Sequence, residues 1–158
     1  MKAFLQSPVG IIEIEENEGY ISSVRIVSSI PEDLAEKQKT NKVVDLAIMQ
    51  LNEYFAGKRK DFDLPLKQEG TPFQEKAWDY LSTIPYGQTA TYKQEAEAIG
   101  SPNGYRAVGS ANGRNNIAII VPCHRVVNEG KGLGGYAYGL ETKKKLLELE
   151  RQNLAKNA

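Results

Sequence analysis

Two Thr-x-x-Gln boxes twenty residues apart, Thr71-Pro72-Phe73-Gln74 and Thr91-Tyr92-Lys93-Gln94, constrain the fold of this chain more than any other feature. In each, the threonine caps a helix and the glutamine reaches back to the cap; in the first, proline also occupies the first helical position. The first helix carries Phe73, Ala77, Trp78 and Leu81 and is expected to stop at Pro85. The second is expected to end at Gly100, where Ser101-Pro102 opens a third that Gly113 closes. Two short helices joined by a tight glycine-containing turn make a helix-turn-helix. Such pairs are common, and most of them bind nothing.

The first part of the chain follows a different period. Lys2 to Gln6 reads as a strand, Ser7-Pro8-Val9-Gly10 as a turn, and Ile12-Glu13-Ile14-Glu15 alternates as a half-buried strand does. Asn17-Glu18-Gly19 has turn chemistry and Tyr20 to Val27 is rich in β-branched residues, which predicts an antiparallel meander. Val44, Ala47, Ile48, Leu51 and Phe55 then repeat at helical spacing with Gly57 as C-cap, and Phe62 to Leu66 is expected to add a short strand. Lys67 to Gly70 is short and polar and marks the boundary. The expected fold is α+β: residues 1–68 form a small antiparallel sheet with a helix as a support domain, and residues 71–158 form a mainly helical domain with a (winged) helix-turn-helix. The length suits one domain or two small ones.

Several classes are excluded. A lone cysteine forms no internal disulfide, which suits a reducing compartment. One histidine beside one cysteine is too few for a structural zinc site. No stretch has the length and apolarity to span a bilayer, and Met1 to Gly10 lacks a signal-peptide pattern. Net charge is zero, but residues 1–66 hold 8 Lys/Arg against 11 Asp/Glu, whereas residues 67–158 hold 12 against 9. No acidic residue lies between Glu97 and Glu129, a span that contains Arg106, Arg114 and Arg125. That local positive field is compatible with phosphate contacts, and equally with chance clustering on a solvated face. The third helix, with Arg106-Ala107-Val108-Gly109-Ser110-Ala111, is mostly small residues around one long cation. Interior glycine costs about 1 kcal/mol in a helix, which makes sense if the backbone must come close to something, whether a nucleic-acid groove or another helix.

The chemistry lies after residue 116. Ile117 to Val121 reads as a buried extended run that Pro122 ends, and Cys123-His124-Arg125 follow. A thiol reacts as the thiolate, so a neighbour must take its proton, and His124 is the one imidazole in the chain. Adjacent side chains of an extended segment point to opposite sides; a bend at Pro122 or a bridging water would relax that constraint. The competing reading of a cysteine in such a run is inert packing. In the last helix Glu150 shares a face with Leu146, Leu147 and Leu154. It is either the group that orients His124 or a solvated residue at the stripe's edge, paired with Lys143 or Lys144.

Val121-Pro122-Cys123-His124-Arg125-Val126 closely resembles the active-site signature of the O6-alkylguanine-DNA alkyltransferases, also called methylated-DNA–protein-cysteine methyltransferases. Arg106-Ala107-Val108-Gly109, Asn115, Tyr92, Gly135-Tyr136 and Glu150 stand at that family's spacing, and the likeness runs over about residues 71–151. The resemblance implies single-turnover repair: the alkyl group of O6-alkylguanine in double-stranded DNA passes irreversibly to Cys123, with His124 as base through a water and Glu150 orienting it. Tyr92 would protonate the departing guanine ring. Arg106 would fill the gap left by a flipped nucleotide, with Ala107, Gly109, Ser110, Ala111 and Arg114 along the minor groove. Asn115 would be a hinge, Ala118, Tyr136 and Ala137 would line the base pocket, and Arg125 would be structural. O4-alkylthymine remains open as a second substrate. No metal and no cofactor is implied. The partner is DNA rather than a membrane, the chain acts as a monomer, and the location is cytoplasmic, or nuclear in a eukaryote.

Some positions depart from the family pattern. Asn116 and Ala118 replace prolines, Tyr105 replaces a small residue of the recognition helix, and Ala137 and Tyr138 stand where serine and glycine are frequent. Tyr138 would narrow the pocket against bulky alkyl groups. The alternatives are a non-catalytic lesion binder, a helix-turn-helix regulator with an incidental thiol, and a Cys-His hydrolase with turnover; stoichiometry of transfer separates them.

Overall fold

A computed structural model describes residues 1–32, 40–130 and 132–156. The chain forms two compact units, Met1–Gln68 with Asn116–Ile120, and Glu69–Asn115 with Val121–Ala158.

In the first unit, β1 (Lys2–Ser7), β2 (Gly10–Asn17) and β3 (Tyr20–Val27) form an antiparallel sheet in that order. Asn17 pairs with Tyr20, and the two residues between them, Glu18 (φ 52°) and Gly19 (φ 86°), both take the left-handed conformation that matches a hairpin's twist. Ile12 and Ile14 are fully buried, as the alternation requires, but Glu13 on the opposite face is buried too, at 8% exposed. Helix α1 (Lys42–Phe55) is capped by Asn41, whose side chain accepts from the Val44 amide, and buries Val44, Ala47, Leu51 and Tyr54. Gln50 is buried with them and exchanges two hydrogen bonds with the backbone of Asp63, at 2.9 and 2.8 Å.

The strand expected at Phe62 to Leu66 shrinks to one bridge between Leu66 and Ile21. Ile21 donates to the Pro65 carbonyl and receives from Lys67, but Pro65 has no N–H with which to extend a ladder. The run Ile117 to Val121 is buried, as expected, but is not extended. Asn116 O and Ala118 N hold Val24 on both sides at 2.9 Å, and the chain then curls, with Ile120 N bonded to Ala118 O and Ile119 at φ 70°. A β-branched residue in that region is strained by about 1–3 kcal/mol.

In the second unit, α2 (Pro72–Leu81) and α3 (Tyr92–Ala98) begin at the two threonine boxes, and both boxes close in both directions. α2 ends at Leu81 and turns through Ser82 before reaching Pro85. Helix α4 (Tyr105–Gly113) starts three residues later than Pro102 suggested. Gly100 takes φ 83°, and Gly104 closes a separate turn by donating to Ser101 O at 2.8 Å. A Cβ on Gly104 would stand 2.5 Å from Ser101 Oγ and 3.1 Å from Ser101 O, so a side chain here would make Ser101 turn aside. Trp78 Nε1 donates to Ala111 O at 2.9 Å and joins α2 to α4. Two short strands, β4 (Ala90–Thr91) and β5 (Val126–Val127), pair in parallel, and α5 (Leu140–Lys156) completes the unit. No described helix is long and apolar enough to cross a membrane.

Candidate active site

β4 and β5 anchor the two segments that carry the site. Ala90 lies opposite Val126 and Thr91 opposite Val127. Tyr92 follows β4 directly and a 3-10 turn, Cys123–Arg125, directly precedes β5; in a parallel pair these lie toward opposite ends, and Tyr92 and Cys123 meet as lining of one cleft. The turn is closed by Arg125 N donating to Pro122 O at 3.0 Å. Cys123 is half-buried and opens on a cleft of about 1230 Å³ lined also by Tyr92, Gly109, Asn112, Tyr136 and Ala137.

His124 is fully buried. Its Nε2 lies 2.6 Å from Glu150 Oε2. Burial lowers the imidazole's pKa, a Glu150 hydrogen bond and charge raise it, and the Arg125 and Lys143 charges lower it again. A neutral ring whose Nε2–H serves Glu150 leaves Nδ1 as an acceptor, and Nδ1 has no partner among the described residues. Glu150, fully buried, also receives both arms of Arg125, Nε to Oε1 at 2.8 Å and Nη2 to Oε2 at 3.1 Å, and the Gly87 amide at 3.2 Å. Burial pushes its carboxyl up, but the hydrogen bonds and charges of His124 and Arg125 outweigh that and hold it at about 2. Arg125 thus sits in the same cluster and spends its remaining arm on Ile84 O at 2.8 Å.

Lys143 is not the solvated partner of Glu150. It is fully buried and donates to Val126 O at 2.6 Å and Gly135 O at 3.0 Å, with its ammonium 5.7 Å from the Tyr92 ring. Burial lowers it to about 8, against the influence of Cys123. Burial raises the Cys123 thiol, while a hydrogen bond from Asn115 and the Lys143 charge pull it down. Asn115 Nδ2 also donates to Val121 O at 2.8 Å, which ties together the two points where the chain leaves and re-enters this unit. Tyr92 is raised by burial and by the neighbouring Cys123, and donates to Gly135 O at 3.4 Å. Tyr136 is raised by burial; its hydroxyl has no partner among the described residues, and its ring meets Tyr138 edge-on at 5.5 Å.

Arg106, Ala107, Ser110 and Arg114 share the exposed face of α4, with Gly109 half-buried. Ala111 does not: helical period turns it inward, where it is 2% exposed and holds Trp78. Ala118 lies in the first unit, buried and bonded to Val24 O, and does not line the cleft. No group of three His, Cys, Asp or Glu among the described residues is placed to hold a metal ion. Glu95 is a buried group that sequence reasoning passed over, and Lys143 entered it only as a solvated partner of Glu150. Lys143 stands three and seven residues before Leu146 and Glu150, and that spacing on one face was the available signal.

Two family models match the chain: 6-O-methylguanine DNA methyltransferase, DNA binding domain, over residues 72–152, and its ribonuclease-like domain over residues 1–68. A methylated-DNA–protein-cysteine methyltransferase of Methanosarcina barkeri is 46% identical over 155 residues, covering 95% of this chain and 96% of its own. The crystal structure of a Mycobacterium tuberculosis O6-methylguanine methyltransferase superposes with TM-score 0.84 at 40% identity, over 96% of this chain and 93% of its own. That organism's OGT in complex with DNA gives TM-score 0.85 at 40% identity, over 95% and 92%.

Proposed function

The chain belongs to the 6-O-methylguanine DNA methyltransferase family, and from that premise we propose that Cys123 is the residue that takes the alkyl carbon from O6 of guanine in double-stranded DNA, once per molecule. Methyl transfer from methylated DNA to a protein cysteine, a DNA-repair reaction, is the activity of the family members it matches. The observation that carries the reading is a single thiol opening on a cleft, next to an imidazole that Glu150 holds with Nδ1 open to accept a proton.

In the proposed step the S–C bond forms as the C–O6 bond breaks. The thiol proton passes through a bridging water to His124 Nδ1, and Glu150 steadies the imidazolium that results. Tyr92 donates to the guanine ring as negative charge develops there. Lys143 serves both ends: its charge favours the thiolate and lies over the tyrosine that gives up its proton. The thioether has no group nearby to reverse it, so the protein is consumed. O6 lies within the base pair, so the nucleotide must leave the stack, at a cost of a few kcal/mol. Arg106 on the exposed face of α4 would fill the gap, and the small residues Ala107, Gly109 and Ser110 let the backbone approach the minor groove. Tyr136 and Ala137 would wall the pocket, and Asn115 would hold the turn that presents Cys123.

The test is stoichiometry. After incubation with excess methylated duplex, intact mass and peptide mapping are expected to show one methyl group per chain, on Cys123. No transfer would indicate a lesion binder, many turnovers a hydrolase, and an adduct on another side chain would overturn the assignment.

A second prediction concerns Tyr92. Gly134 takes φ 75°, and a Cβ there would stand 2.7 Å from Cε2 and the hydroxyl of Tyr92. Gly134→Ala is expected to displace that ring and slow transfer about a hundredfold, the low end of a general-acid contribution. Single-turnover rates with bound DNA would measure it; an unchanged rate would remove Tyr92 from the mechanism.

A further inference from the structure

Beneath the exposed face of α4 lies a polar pair with no part in the transfer step. Glu95 of α3 is fully buried, and Asn112 of α4 is 7% exposed. Asn112 Nδ2 donates to Glu95 Oε1 at 2.8 Å. The other oxygen of each group, Glu95 Oε2 and Asn112 Oδ1, is buried without a partner among the described residues. Two bare buried acceptors on groups already joined by one hydrogen bond are unfavourable as they stand, and a proton on Glu95 Oε2 donated to Asn112 Oδ1 would relieve both.

We propose that Glu95 is held as the neutral acid, donating from Oε2 to Asn112 Oδ1 while Asn112 Nδ2 donates to Oε1, so that a two-point acid–amide ring sets α4 against α3. Glu95 is thereby a positioning residue for the helix that carries Arg106, and Asn112 also lines the cleft onto which Cys123 opens.

The surroundings favour the proton. Burial raises the carboxyl to about 7, although the Asn112 bond works the other way. The titratable groups that feel its charge are Tyr80 from α2, Tyr92 from its own helix and Cys123 from the 3-10 turn, and a negative Glu95 raises all three. β4 and β5, packed on α3, carry no titratable side chain, and α4 presents the Asn112 amide. No cation among the described residues lowers it. A carboxylate here would oppose both the thiolate of Cys123 and an approaching phosphate backbone.

The folded chain holds this proton where the unfolded chain, at about 4.5, has lost it. Stability therefore falls as pH rises from about 4.5 through 7 and levels off above that. Glu95→Gln supplies an N–H in place of the O–H and keeps the ring at every pH. The first measurement is a carbon-13 NMR titration of the Glu95 carboxyl in the free chain. A midpoint near 7 is expected, and one in the ordinary carboxylate range overturns the proposal. The second compares folding constants: relative to Glu95→Gln, the wild type is expected to lose about 40-fold between pH 5 and pH 7, and a constant ratio overturns it. The positioning role rests on the DNA-binding reading above. Between pH 6 and pH 8 the wild type's affinity for methylated duplex should fall several-fold more than that of Glu95→Gln, and parallel profiles would sink that role. Titration and folding involve no DNA, so their failure is distinguishable from failure of the repair reading.

Discussion

Replacing Cys123 by alanine abolishes transfer of the alkyl group to the protein, while methylated duplex is still bound with near-native affinity. Cys123 is the chain's one cysteine, so no second thiol can substitute. The residues expected to meet the DNA backbone, Arg106, Ala107, Ser110 and Arg114, stand on the exposed face of α4, and none of them is held by the sulfur. The side chain is half-buried and small, so its truncation costs about 1 kcal/mol, within the range of ordinary point substitutions. Serine should fail as completely as alanine, because a neutral, buried imidazole that can receive a proton from a thiol is far too weak a base for a hydroxyl. The pH profile of the wild type follows from the same geometry. Burial raises the thiol, so the single-turnover rate is expected to increase with pH through the alkaline side of neutrality, as the thiolate fraction grows. A labelled methyl donor duplex and a gel-shift titration separate the two halves of the prediction. Residual transfer in Cys123→Ala would place the acceptor elsewhere, and lost binding would mean that the sulfur site also builds the DNA surface.

Local signals made much of this molecule legible in advance. Both threonine boxes start helices where they stand, because each cap is closed by side chains within the same four residues. The meander was readable because β2 keeps the isoleucines Ile12 and Ile14 on one face. Glu150 was visible as a carboxylate on an apolar face. What stayed hidden depends on partners far along the chain. Arg125 reads as one more cation after the cysteine, and only the packing of α5 shows that it grips Glu150 with two nitrogens. Lys143 stands in a run of three lysines, of which helical geometry buries one and leaves two exposed; composition does not say which. The curl at Ile117 to Val121 has the residue types of a strand, but the paired hydrogen bonds to Val24 and the left-handed Ile119 override that local preference. The late start of α4 has the same character: Ser101-Pro102 is good helix-opening chemistry, spent instead on a turn that Gly104 closes.

Glu150→Leu is expected to be the most destabilising single substitution in the second unit. The carboxylate takes hydrogen bonds from His124, from two nitrogens of Arg125 and from the Gly87 amide, all with no access to water on its own side chain. Its removal leaves a buried guanidinium uncompensated, which costs about 3–5 kcal/mol where one partner of a buried pair is deleted. Glu150→Gln has a different expected signature. It keeps the volume but turns one oxygen into a donor facing donors. If that donor meets His124 Nε2, the ring must carry its proton on Nδ1, the atom proposed to accept the thiol's proton. Transfer should then slow about 10²–10⁴-fold, the size of a general-base contribution, with a smaller loss of stability. The pH dependence gives the check. The carboxyl sits at about 2 in the folded protein against 4.5 for the ordinary group, so its contribution, about 3 kcal/mol, is fully present above pH 4.5 and is lost as pH falls through 2. Glu150→Gln has no such acid-sensitive contribution. Urea unfolding at pH 5 and pH 2 should show the wild type losing its advantage over Glu150→Gln across that window; equal losses in the two proteins would mean that the His124–Glu150–Arg125 cluster is not what holds this turn in place.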